Sequence, residues 1–127
     1  MWILYDYLDE DGSNPIKIWT GRLEKRQRIK FNQKLDMLEQ YGPELPPQLL
    51  AGPVFDHVYK LKIQGNPKLR PLICKGPIDN ESEYTLLVGA KEIQWQMDPS
   101  DAEQQAANNR QAIIDNPLRR CRHERVT

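Results

Sequence analysis

The sequence predicts an α+β fold: an antiparallel sheet, made of an N-terminal strand and a three-stranded meander, packed against two N-terminal helices, with a further helix near the C-terminus. Three observations predict it. An aromatic and β-branched run opens the chain, a stretch with apolar residues at helical spacing follows, and three short apolar–polar segments come next, separated by Gly, Asn and Pro. Strands joined by short turns pair antiparallel, and an amphipathic helix must bury its stripe on the sheet they form. At 127 residues the chain is the size of one domain able to bury a core without staples.

The first strand is "WILYDYL" (2–8), which ends at the turn-forming "DEDGSN". Asn14 followed by Pro15 is an N-cap and first-turn pair that starts a short helix, "PIKIWT", and Gly21 stops it. Over 23–41, Phe31, Leu35 and Leu38 mark one buried stripe, flanked by Ile29, Met37 and Tyr41, and Gly42-Pro43 closes the helix. The stretch "GPELPPQLLAGP" is so rich in Pro and Gly that it reads as a connector over the core, not an element. Strands are expected over 58–64, 68–75 and 84–90, with turns at Gly65-Asn66-Pro67 and at Gly76-Pro77 with Asp79-Asn80. Pro71 removes a ladder donor inside the second of these and demands an edge or a bulge. The alanine-rich run 98–114 predicts the last helix. The domain is expected to span 1–114, leaving 115–127 as a basic, loosely held tail.

Charge is informative only locally. The 18 basic and 18 acidic residues cancel, so any anion site must come from segregation. In the first meander strand Tyr59, Leu61 and Ile63 alternate with Lys60, Lys62 and Gln64, giving one apolar and one cationic face; Lys68 and Arg70 follow on the next. The long helix carries Arg26, Lys30 and Lys34 four apart on one side. Solvated faces and a phosphate-tracking surface both fit these patterns. Trp95 fits core or rim packing, or stacking on a base near Lys91. His57 reads as structural or exposed, and His123 as an exposed, idle residue of the tail.

Cys74 and Cys121 lack zinc or redox spacing and are expected as free thiols. There is no phosphate-binding Walker loop, nucleophile elbow or metal-ligand cluster, so no metal or cofactor is expected. No apolar run reaches the ~18 residues of a membrane span, and the N-terminus lacks a signal-peptide pattern. The expectation is a soluble, cytoplasmic protein with no membrane partner.

The segments "NPIKIWTGRLEKRQRIKFNQKLDMLEQYGPEL", "VYKLKI", "KLRPLI" and "YTLLVGAKEIQWQMDP" together resemble the RelE/HigB superfamily of bacterial toxins, in its phage-derived HigB-like branch. The resemblance covers about residues 2–110, in the same order and at similar spacing. It implies an endoribonuclease of a type II toxin–antitoxin system, cleaving messenger RNA, in association with the ribosome, by metal-independent attack of the ribose 2′-hydroxyl. It also implies a small antitoxin partner, of helix-turn-helix type. Carried over by position, Lys62, Arg70 and Lys91 are the implied catalytic residues, where cations stabilise the phosphorane-like transition state. Lys60, Lys68, Arg26, Lys30, Lys34 and Trp95 are the RNA-binding candidates. Lys62 stands where the family has an arginine, Ala90 where it has an aromatic residue, Val88 where a polar residue is common, and Glu92 among its lysines. These departures and the neutral charge favour an alternative: a non-catalytic, phage-derived protein that keeps the scaffold as an RNA- or protein-binding module.

Overall fold

The computed structural model describes all of residues 1–127. Strand β1 (Ile3–Tyr7) leads to helix α1 (Pro15–Arg22), where Asn14 Oδ1 accepts the Lys17 N–H at 2.9 Å and Pro15 occupies the first turn. Helix α2 (Lys25–Tyr41) begins with the Glu24 N–H donating to Gln27 Oε1 at 3.0 Å, and it buries Phe31, Leu35 and Leu38. Gly42 ends it at φ +51°, and the Trp2 indole occupies the space a Cβ would take there.

After a 3-10 turn come β2 (Leu50–Phe55), β3 (Val58–Leu61), β4 (Lys68–Leu69), β5 (Leu72–Lys75) and β6 (Glu83–Val88). A hairpin, β7 (Lys91–Ile93) and β8 (Gln96–Asp98), precedes helix α3 (Ala102–Asp115) and the final strand β9 (Arg120–Arg122). A six-stranded sheet runs in the order β2-β3-β5-β6-β1-β9, and a second sheet of three strands runs β4-β7-β8. No helix is long and apolar enough to cross a membrane.

The fold is α+β, with helices on both faces of the main sheet. On one face Ile16, Phe31, Leu35 and Leu38 of α1 and α2 pack on Leu4, Leu61, Ile73, Tyr84 and Leu86. On the other, Ala102, Ala106 and Ile113 of α3 pack on Val58, Leu72, Cys74 and Leu87. All six residues of β6 are buried, as expected of a central strand covered on both sides.

Five expectations are corrected. The sheet is mixed: β1 pairs parallel with β6, Leu4 opposite Tyr84. The tight turns of the meander force antiparallel pairing only among the strands they join, and the long helical connection after β1 leaves its direction open. The Pro- and Gly-rich connector contributes β2, an edge strand that accommodates Gly52 and Pro53 through a register shift. The strand expected over 68–75 divides at Arg70-Pro71 into β4 and β5, which join different sheets.

The basic C-terminal segment is not a loose tail. It adds β9 antiparallel to β1, with Cys121 opposite Asp6. Arg120 bonds Glu83 and lies over the Tyr5 ring at 3.8 Å. Arg125 bonds Asp36 and Glu39. His123 is neither exposed nor idle, for its Nδ1 meets Asp6 Oδ1 at 2.8 Å inside the protein.

Candidate nucleic-acid interface

The cations of α2 and those near the β3–β4 turn line three hollows that share wall residues, together termed the trench. Lys62 follows β3, and its N–H donates to Leu49 O at 2.8 Å, which ties it to the segment just ahead of β2. Lys30 Nζ reaches Gln64 O at 3.4 Å. A cleft of about 400 Å³ opens there, walled by Lys30, Lys34 and Lys62 with the amides of Gln33, Gln48 and Gln64. It continues through Lys30 and Gln64 into a second hollow of about 380 Å³, carrying Arg26 on one wall and Glu24 at the helix start. The turn 65–67 joins this to a third hollow of about 340 Å³, flanked by Lys68, Glu92 and Trp95.

Five cations and two carboxylates therefore line these three hollows in a chain with no net charge. Arg26, Lys30 and Lys34 rise along one wall about 6 Å apart.

Trp95 stands at the far end and is 88% exposed. Gln94 and Trp95 form the two-residue tip of the β7–β8 hairpin, with φ of +50° and +68°. Such a tip needs both residues left-handed, which usually selects Asn and Gly. Here it projects an indole into solvent instead. Lys68 Nζ lies 5.2 Å from the ring centroid, a cation–π contact that steadies it.

The implied catalytic trio is not gathered in this trench. Arg70 is only 4% exposed. Its Nη1 donates to Ile63 O at 3.3 Å and Leu69 O at 2.9 Å, and its Nε lies 3.7 Å from Glu92 Oε1. Burial pulls its pKa below the usual arginine value, against the opposing pull of Glu92. The guanidinium is engaged inside the protein, where it braces the turn that floors the trench. The expectation of an open phosphate ligand on a strand missed this, because nothing local told Arg70 from a surface arginine.

Lys68 pairs with Glu92 across the small sheet, whereas Lys91 pairs with Leu69 and Asp98. Neighbouring strand residues point to opposite faces, so Lys91 faces away from Lys68 and Trp95. Lys60 is half-buried in mid-sheet between Ala51 and Leu72 and does not line the trench. Sequence spacing found Arg26, Lys30 and Lys34; it gave no sign of the three glutamine amides, which come from separate segments.

The chain matches no protein-family model, no curated protein and no solved structure.

Proposed function

We propose that this chain is an RNA-binding module in which Arg26, Lys30, Lys34 and Lys62 track phosphates and Trp95, beside Lys68, takes a base. The observation that carries this reading is the segregation of five cations, from three separated stretches of a neutral chain, along three hollows that share wall residues. One of its two carboxylates, Glu92, is turned toward Arg70. Phosphate neutralisation supplies sequence-independent affinity, and an exposed indole adds stacking on any base.

We read the scaffold as the phage-derived HigB-like type, since the order strand, two helices, then antiparallel strands is the order the resemblance implies. Messenger RNA, alone or on the ribosome, is the ligand this suits, and a small helix-turn-helix antitoxin is the protein partner that would cover the trench. The internal bonding of Arg70 and the placing of Lys91 on the face opposite to Lys68 favour binding without cleavage.

A second reading, the endoribonuclease, draws on one observation: Lys62, the first of its implied catalytic residues, does line the trench. Fluorescence anisotropy of a labelled single-stranded RNA over a salt series, with the same samples run on a denaturing gel, separates the two. The expected result is binding that weakens steeply with salt while the RNA stays intact. Cleavage lost in Lys62→Ala transfers the conclusion to the nuclease. A folded protein that fails to bind at low salt overturns both.

A further inference from the structure

A second cationic site lies at the other end of the β3–β5 pair. His57, Tyr59, Lys75, Asn80 and Arg110 enclose a small pocket of about 140 Å³. Five elements build it. His57 sits in the β2–β3 turn at φ +57°, Tyr59 lies in β3 opposite Ile73, Lys75 ends β5, and Asn80 belongs to the β5–β6 loop. Arg110 arrives from α3, on the face of the sheet opposite to the one where Tyr59 packs. None of these residues touches the trench.

The electrostatics of this pocket are one-sided, since no carboxylate lines it. The acidic group nearest His57, Asp56, lies 3.7 Å away with its side chain largely in solvent. Arg110 Nε is buried and has no protein acceptor. The neighbouring Cys74 is a hydrogen-bond partner of the Arg110 side chain but cannot act as its counter-ion: burial pushes that thiol up to about 12, against the smaller opposing charge and hydrogen bond of Arg110, so it stays neutral. A buried, unsatisfied guanidinium donor is costly, and an anion placed there removes the cost.

We propose that this pocket binds a phosphate group, either inorganic phosphate or a small phosphate monoester. Arg110 and Lys75 supply charge, the first through its planar fork and the second as a point charge. Tyr59 and Asn80 add neutral donors, which suits a tetrahedral oxyanion contacted from several directions. At about 140 Å³ the pocket has room for one phosphate. The site stands independently of the RNA-binding reading.

The test is a titration followed by backbone amide NMR at constant ionic strength, with chloride as the balancing salt. Inorganic phosphate and ribose 5-phosphate are added in separate arms. Saturable shifts are expected at His57, Tyr59, Lys75, Asn80 and Arg110, with the phosphate dissociation constant raised about tenfold in Lys75→Gln and in Arg110→Gln and unchanged in Lys25→Gln, an exposed lysine outside both sites. Should Arg110→Gln fail to fold, Lys75→Gln alone decides. Tighter binding of the monoester identifies a pendant phosphate, and equal binding identifies the free ion. Shifts that do not saturate, that centre on the trench, or that survive Lys75→Gln unchanged overturn the site.

Discussion

His123 Nδ1 meets Asp6 Oδ1 at 2.8 Å, with 1% and 3% of the two side chains exposed, and this contact fastens the C-terminal strand to the first. Asn14 Nδ2 donates to the other carboxylate oxygen at 2.9 Å, so one buried carboxylate joins β1, the start of α1 and the end of the chain. His123→Ala leaves Asp6 buried with only one of these two partners. We expect a loss of about 2 kcal/mol, read from the midpoint of urea unfolding. Arg122→Ala, exposed on the same strand, should change stability by less than about 0.5 kcal/mol. Equal effects of the two would mean that β9 is held by its backbone alone.

Gly89 and Gly21 should respond to alanine with opposite signs. A Cβ on Gly89 would overlap the Trp19 indole, which is itself fixed edge-on against Phe31. Overpacking of this kind costs about 1–3 kcal/mol, so Gly89→Ala should lower Tm. Gly21, near the end of α1, has open space where a Cβ would go, and alanine there should gain up to about 1 kcal/mol from helix propensity and a less flexible unfolded chain. Calorimetry of both variants beside the parent checks the pair.

Tyr84 gives a pH-dependent prediction. Its hydroxyl is buried without a protein partner, and burial raises its pKa from 10.0 to about 12. The unfolded phenol therefore loses its proton first as pH rises, and the folded state binds more protons across that window. Stability should fall between about pH 10 and 12. Tyr84→Phe removes the effect and the unsatisfied hydroxyl together. At neutral pH it should be neutral or stabilising by up to about 1 kcal/mol, and the difference should widen as pH climbs past 10. A Phe variant clearly less stable at pH 7 would reveal a partner for the hydroxyl.

The two thiols should differ in reactivity. The thiolate is the reacting species, and burial raises the pKa of both cysteines, Cys74 to about 12. Cys74 is also fully buried, whereas Cys121 is partly open. A chromogenic disulfide reagent at pH 8 should titrate Cys121 slowly and Cys74 only after denaturation. Two fast equivalents from the native protein would contradict this packing.

The parts of this fold legible in the sequence are those set by local chemistry. Asn14-Pro15 started α1, Phe31, Leu35 and Leu38 gave α2 its buried face, and Gly65 to Pro67 turned the chain before β4. What stayed hidden depends on partners far along the chain. The run Arg119 to Arg125 looks like a solvated tail because Tyr7, Glu83, Asp6 and Asp36, which receive its charges and hydrogen bonds, lie at least 36 residues away. The β7–β8 hairpin was invisible because Gln94 and Trp95 are not the residues a left-handed turn normally selects. In the trench, the helical spacing of Arg26, Lys30 and Lys34 showed one wall, but nothing in the segment "KLRPLI" marks Arg70 as buried.

That difference between Arg70 and the lysines yields the last prediction, which separates a brace from a ligand. Arg70→Ala strands two main-chain oxygens and leaves Glu92 without its nearest cation, so it should cost about 3 kcal/mol of stability. Assayed well below its melting temperature, the variant should bind RNA more weakly because the turn 64–67 is no longer held. No phosphate contact is lost, however, so the slope of log affinity against log salt should stay that of the parent. Lys30→Ala should do the reverse, leaving stability almost unchanged and reducing the slope by ~0.7 for the one single-strand phosphate released. Anisotropy titrations at four salt concentrations, beside urea unfolding of the same proteins, resolve the two signatures. A reduced slope in Arg70→Ala with unchanged stability would make Arg70 a phosphate ligand after all and return the catalytic reading of Lys62, Arg70 and Lys91 to the front.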